Sequence, residues 1–342
     1  MHKTMNVRRV VGAGVAMALG MSLSLAATVA KADEAIRILC PTWSGYAPVF
    51  VAQELGYFKK LGIDVSIKFE DERANVMAAM AHGDIEMDMR TVGEYQGKPR
   101  DAKTPGIIIG TIDQSLGGDG VISSGDITSV DQLKGKTVAS EPNIPGRLLL
   151  QMELKKKGMT LADLDVKQIA TADTIAVFSD PSIAAVVSYQ PNLSQAVDKV
   201  PQRKPHILVS SAQYPGIIVD VIIARQDDLK ANPEKYKKFM IGIFKAIDYF
   251  KSNKADFIKL AAPHFNLSPE EFAASIEGSL DYTGHKETSE YFGKPGAPGS
   301  LYKVFDEVMQ LNLENGAAEN NLKAAEQIDN SIIAGITEAD LK

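Results

Sequence analysis

The chain has 342 residues and a formal charge of −6, from 43 acidic against 37 basic side chains, which excludes a surface built to hold nucleic acid or anionic membrane by charge. Its length suits roughly two lobes of ordinary domain size, and 45% hydrophobic residues supply material for their cores. Cys40 is the only cysteine, so an internal disulfide is excluded and packing alone must hold the fold.

Residues 1–32 read as an export signal. Lys3, Arg8 and Arg9 give a positive start, an apolar run of small residues extends from Val10 to Ala30, and Ala30-Lys31-Ala32 supplies a cleavage site. The Gly, Ala and Ser content argues against a membrane anchor of similar length. Arg8-Arg9 is a poor match to a twin-arginine signal, and no cysteine closes the run to carry a lipid. Cleavage before Asp33 leaves 310 residues and, by removing four cations, takes the formal charge from −6 to −10. The mature chain is expected in the periplasm, with no membrane insertion after cleavage.

Beyond Asp33 the chain alternates short apolar runs with helical stretches. Residues 36–40 read as a buried strand containing Cys40, 47–60 as a helix, 64–69 as a strand, 75–82 as a helix stopped by Gly83, and 85–89 as a strand. Strands follow at 106–112, 120–123 and 137–139, then a helix at 146–157 ended by Gly158. Further strands at 166–169 and 184–188 are each followed by helix, and 207–210 and 217–224 are the last strands read. From Asp227 onward the pattern is mostly helical: 233–253, 254–262, 269–280, 301–315 and 326–333, with a Gly- and Pro-rich excursion at 283–300. Such alternation predicts an α/β architecture with mainly parallel sheets. No flexible linker separates two halves. Crossings are therefore placed near 115–118 and 213–220, with 33–117 and 220–342 forming one lobe and 118–219 the other.

Catalytic motifs are scarce. There is no G-x-S-x-G elbow and no P-loop, and Gly117-Gly118-Asp119-Gly120 lacks dinucleotide-binding spacing. The histidines His2, His82, His206, His264 and His285 show no metal-ligand spacing, so neither a metal nor a cofactor is expected. Cys40 would need a histidine partner to act as a nucleophile, and its place in an apolar strand favours a structural role.

Four stretches together carry a resemblance. They are Thr42-Trp43-Ser44-Gly45-Tyr46-Ala47-Pro48 running on to Gly56-Tyr57-Phe58 and Leu61-Gly62-Ile63-Asp64-Val65; Ala81-His82-Gly83-Asp84-Ile85-Glu86; Gly118-Asp119-Gly120-Val121-Ile122 with Leu133-Lys134-Gly135-Lys136; and Ala184-Ala185-Val186-Val187-Ser188-Tyr189-Gln190-Pro191. In this order the chain resembles the solute-binding proteins of nitrate-, sulfonate- and taurine-type ABC importers over residues 36–239. The resemblance implies a type II periplasmic-binding-protein fold, two α/β lobes joined by hinge strands. It also implies a monomer that closes on a small-molecule ligand and then meets an ABC permease and its ATPase. A sensor role would use the same closure. Related folds include an enzyme class making a thiamine pyrimidine precursor, whose chemistry leans on a Cys/His-bearing site not evident here.

Candidate ligand residues follow from strand ends and helix starts, where open α/β sheets leave a crevice. Trp43, Ser44, Gly45 and Tyr46 lie between a strand and a helix; Trp43 and Tyr46 offer aromatic walls, and Gly45 permits a close backbone approach. Arg90 and Thr91 lie at the next strand end. Arg90 is either an anion clamp or the partner of Asp88 or Asp113. The resemblance adds Asn143 and Arg147 at the start of the second-lobe helix, and Tyr189 where relatives often carry Trp. Among the acids near cleft edges (Asp71, Glu72, Asp113, Asp119, Glu141 and Asp220), Asp119, Glu141 and Asp220 are taken as candidates. Mixed arginines and acids favour a zwitterion such as an amino-sulfonate, with a guanidinium or amine cation as the alternative.

Overall fold

A computed structural model describes residues 34–342, and the export signal read at 1–32 lies outside them. In chain order the strands are β1 (Glu34–Cys40), β2 (Ile63–Phe69), β3 (Met87–Thr91), β4 (Ile107–Ser115), β5 (Asp119–Ser123), β6 (Thr137–Ser140), β7 (Asp165–Gln168), β8 (Ile183–Tyr189), β9 (His206–Ser210), β10 (Val219–Ala224) and β11 (Leu280–Tyr282). Two of two residues, β12 (Gly293–Lys294) and β13 (Ala297–Pro298), form a hairpin inside the Gly- and Pro-rich excursion. One sheet has the order β11-β4-β10-β3-β1-β2 and the other β7-β6-β8-β5-β9.

The sheets are mixed rather than mainly parallel. β1 pairs in parallel with β2 and β3, and β6 with β7 and β8, as strand–helix–strand units require. The strands next to the two crossings run the other way: β10 is antiparallel to β3 and β4, and β5 is antiparallel to β8 and β9. Each arrives from the opposite sheet, so no crossover helix turns it round.

Helices cover the sheets through apolar stripes. In the helix Pro233–Ser252, Tyr236, Phe239, Met240, Ile243, Phe244 and Ile247 are buried at the three- and four-residue spacing of one helical face. Phe239 stacks on Phe58 with ring centroids 5.3 Å apart. The helix expected over 47–60 is two, Ala47–Glu54 and Tyr57–Lys60, because Gly56 turns left-handed at φ 68° between them. The helix expected over 269–280 stops at Ile276, and Leu280–Tyr282 pairs with β4 as an edge strand. Likewise 326–333 holds two short helices, Ala324–Gln327 and Ser331–Ala334, not one. No described helix is long and apolar enough to cross a membrane.

The chain passes between the sheets at Ser115–Asp119 and Ser210–Val219, and one hydroxyl ties both passages. Ser211 Oγ lies 2.8 Å from Ser115 Oγ and accepts from the Gly117 amide at 2.7 Å and the Asp119 amide at 3.3 Å. The Ser279 carbonyl, just before β11, accepts from the Leu116 and Gly118 amides at 2.8 and 2.9 Å. Away from the crossings the two sides meet again where Lys155 Nζ approaches Glu314 Oε2 at 2.6 Å.

Candidate functional site

Three neighbouring strands bring polar side chains together near the crossings. In the register of the first sheet Asp220 of β10 stands opposite Asp113 of β4 on one side and Thr91 of β3 on the other. The turn after β1 then lays aromatic rings over this end. Trp43 Nε1 donates to Asp113 Oδ2 at 3.1 Å and Oδ1 at 3.3 Å, and the Tyr46 hydroxyl donates to Asp220 Oδ1 at 2.7 Å. Asp119 enters from β5 directly after the first crossing. Tyr189 ends β8 and meets Trp43 edge-on, with centroids 6.2 Å apart.

A small cavity of about 10 Å³ lies among these groups, lined by Trp43, Tyr46, Thr91, Glu94, Asp119, Tyr189 and Asp220 together with Pro41 and Pro145. A second cavity of about 250 Å³ shares Thr91, Glu94 and Pro145 with it, and adds Asn143 and Arg147 from the second-sheet side. Both are therefore walled from the two sides of the molecule.

Burial sets the electrostatics. Asp113, Asp119 and Asp220 are all buried. Loss of hydration pushes the Asp119 carboxyl up to about 7. It also raises Asp113 and Asp220 well above the usual carboxylate range; the charge of Asp119 adds to both and that of Asp113 to Asp220, while hydrogen bonds from Trp43 and Tyr46 oppose the rise. The pair facing each other across β4 and β10 therefore retains a proton at neutral pH.

Of the twelve residues singled out from sequence, Trp43, Tyr46, Thr91, Asp119, Tyr189 and Asp220 gather at the small cavity, and Asn143 and Arg147 line the larger one. Among the described residues the Arg147 guanidinium has no hydrogen-bond or ion-pair partner, and partial burial lowers its pKa. The remaining four line neither cavity. Ser44 Oγ accepts from Ser275 Oγ at 2.9 Å, pointing into the packed side. Gly45 is covered by protein: a Cβ there would lie 2.1 Å from Trp43 Nε1 and 2.2 Å from Asp113 Oδ2, so its smallness admits the Trp43–Asp113 bond. Arg90 is gripped by Asp88, with Nε 2.5 Å from Oδ2 and Nη2 3.0 Å from Oδ1. Burial works against its charge, but Asp88 more than compensates and its pKa rises. Glu141 accepts from the Thr171 hydroxyl at 2.6 Å and its amide at 3.2 Å, beside a wider depression that also holds Asp71.

Glu94 was not among the twelve. It closes a capping box on the helix Val92–Gln96: the Thr91 hydroxyl donates to Glu94 Oε2 at 2.7 Å, and the Glu94 amide donates to Thr91 Oγ1 at 3.2 Å. The sequence signal was present as Thr91-x-x-Glu94 directly after a strand. Asp113 belongs to the same group and anchors Trp43, although it lines neither cavity.

Cys40, 0% exposed at the end of β1, has its thiol pushed well up by burial. Among the described residues no three His, Cys, Asp or Glu side chains are arranged to hold a metal ion.

A Brucella abortus protein provisionally named a binding protein is 24% identical over 289 residues, covering 83% of this chain and 87% of its own length. A Saccharomyces cerevisiae 4-amino-5-hydroxymethyl-2-methylpyrimidine phosphate synthase is 25% identical over 279 residues, covering 76% and 75%. The crystal structure of the periplasmic aliphatic sulphonate binding protein SsuA from Escherichia coli superposes with a TM-score of 0.69 at 16% identity. It covers 86% of this chain and 92% of that one, and it shows the fold to be that of a periplasmic binding protein. The family model described as NMT1/THI5 like matches residues 43–256, more than half of the sequence, and the chain belongs to that family.

Proposed function

We infer that this chain is the solute-binding component of an ABC importer, which closes two lobes on a small polar nitrogen- or sulfur-bearing solute and presents the closed form to a permease. One observation carries the reading: the paired cavities are walled by both sheets, with Tyr189, Asn143 and Arg147 facing Trp43, Tyr46, Thr91 and Glu94. Such a site is complete only when the two sides are together, so solute contacts favour the closed state over the open one. The crossings at Ser115–Asp119 and Ser210–Val219 serve as the hinge. Binding rather than catalysis is the reading supported by the relatives named as binding proteins and by the periplasmic-binding-protein fold. The protein works as an exported monomer, with residues 1–32 removed.

A thermal-shift screen of amines, amino acids, amino-sulfonates, sulfonates, carboxylates and nitrate tests this directly. A true solute at about 100 times its dissociation constant raises stability by about 2.7 kcal/mol. It should also compact the protein in small-angle scattering. A chain that binds nothing in the screen, or binds without compaction, argues against the reading.

Trp43 is the only tryptophan, so its fluorescence should change on binding. Trp43→Ala should weaken a solute found in the screen by ~1–3 kcal/mol, the range of an aromatic anchor. Unchanged affinity in a folded variant removes Trp43 from the site. For export, N-terminal sequencing of protein from the periplasmic fraction should begin at Asp33. An intact Met1 in an integral membrane fraction would show an anchor instead.

A further inference from the structure

Charge at the small cavity is one-sided. Glu94, Asp119 and Asp220 line it, and among the described residues no arginine, lysine or histidine does. Arg90, on the adjacent strand, is committed to Asp88.

Three sets of donors at the cavity are already committed. Trp43 Nε1 is held by Asp113, the Tyr46 hydroxyl by Asp220, and the Thr91 hydroxyl and amide by Glu94. A sulfonate or nitrate placed here would meet acidic side chains and ring faces with no cation in the lining to balance its charge. A cation would meet the opposite situation, because aromatic faces and carboxylates both attract it. Size narrows the class further. The space of about 10 Å³ is near that of one water, the bulk of an ammonium head rather than of a quaternary or guanidinium group. The body of a solute can extend into the neighbouring 250 Å³, where Asn143 and Arg147 offer polar contacts.

We propose that the protein recognises its solute by a protonated primary amine, seated among Glu94, Asp119 and Asp220 beneath Trp43, Tyr46 and Tyr189. This deepens the solute-binding reading and rests on it. Three carboxylates can each accept one ammonium N–H, and each such charged hydrogen bond is stronger than a neutral one. In the absence of solute Asp119 and Asp220 tend to hold protons, consistent with the rise that burial imposes on both carboxyls. The ionisable groups around the head are Glu94, Asp119 and Asp220, with Asp113 behind them, Tyr46 and Tyr189 as walls and the Arg90–Asp88 pair on the adjacent strand. Ammonium binding therefore expels protons from the acids.

The test titrates the full mature chain with methylammonium chloride and, separately, with sodium methanesulfonate, reading Trp43 fluorescence at constant ionic strength. Methylammonium should give a saturable change, and its affinity should rise between about pH 6 and about pH 8.5 as Asp119 loses its proton. Asp119→Asn and Asp220→Asn should each weaken it roughly 10- to 150-fold. Glu94→Gln, which can keep the helix cap, provides a further variant if Asp220→Asn fails to fold. Saturation by methanesulfonate alone would overturn the amine proposal while leaving the solute-binding reading in place. Saturation by neither probe, or unchanged methylammonium affinity in the folded variants, overturns the proposal too, and the solute screen then decides separately whether the chain binds a solute at all.

Discussion

Gly45→Ala is expected to destabilise the ligand-free protein by ~3–5 kcal/mol and to loosen the tryptophan at the site. The added methyl would sit 2.1 Å from Trp43 Nε1 and 2.2 Å from Asp113 Oδ2, so one of these groups must move. Neither is a free end. The indole is buried and packed on Gly118, where a Cβ would come within 2.4 Å of the ring, and Asp113 is 0% exposed between its strand neighbours. Overpacking of this kind costs ~1–3 kcal/mol, and a broken hydrogen bond to a buried carboxylate adds ~1.5–3 kcal/mol. Urea unfolding supplies the first readout, and the emission maximum of the sole tryptophan supplies the second. A variant within ~0.5 kcal/mol of the parent with an unshifted spectrum would falsify the packing described for this turn.

The second large effect concerns pH. Ligand-free protein is expected to lose stability as pH rises from about 5 to about 8. The Asp119 carboxyl titrates near 7 in the folded chain, against an ordinary value of 3.8. Between those limits the folded state holds a proton that the unfolded state has released, so raising pH favours unfolding by ~1.4 kcal/mol per unit for each such group. Asp119 alone contributes ~2.5–3 kcal/mol between pH 5 and its folded pKa, and Asp113 and Asp220 act in the same direction. Carboxylates stabilised by partners, such as Glu86 with Arg37 and Asp228 with Lys235, have depressed pKa values. Their contribution is lost only in more acidic solution, below this window. Asp119→Asn should flatten the profile and make the protein ~2–4 kcal/mol more stable than the parent at pH 8. Denaturant melts at matched ionic strength check this. Parent and variant profiles that are parallel and level from pH 5 to 8 would remove the buried-acid account.

Local patterns carried much of this fold. Most strands are apolar runs bounded by turn residues, and the helix Pro233–Ser252 displays its buried stripe openly. What the sequence concealed depends on partners distant in the chain. Leu280–Tyr282 is a strand only because β4 offers Ser115 as an edge, and it continues a helical pattern without that edge. The antiparallel pairings follow from which sheet a strand arrives from, and no residue near 120 or 219 records that.

The site divides in the same way. Trp43 and Tyr46 could be located between a strand and a helix from the sequence alone, and both rings line the small cavity. Arg90 was ambiguous, since a free guanidinium and one held by a carboxylate two residues earlier share the same letters. The strand is displaced by two residues from the one expected, which puts Asp88 and Arg90 within a single strand where they can pair. Glu94 was hidden by its second task as a helix cap.

The position of β10 has a consequence for the order of folding. It lies between β3 and β4 in the six-stranded sheet, yet it is made of residues 219–224, which follow all of the second sheet. A chain growing from its first residue can pair β1, β2 and β3 early, and it can finish the five-stranded sheet by residue 210. β4 has no route to β3 until β10 arrives as the bridge. Its pairing with β4 thus closes a loop of more than a hundred residues, an event that loop-closure entropy makes slow. Asp220, Asp113 and Thr91 face one another only after that insertion, so the acidic end of the cavity forms late, and a nascent chain truncated before β10 would carry every other strand of the pocket but no pocket.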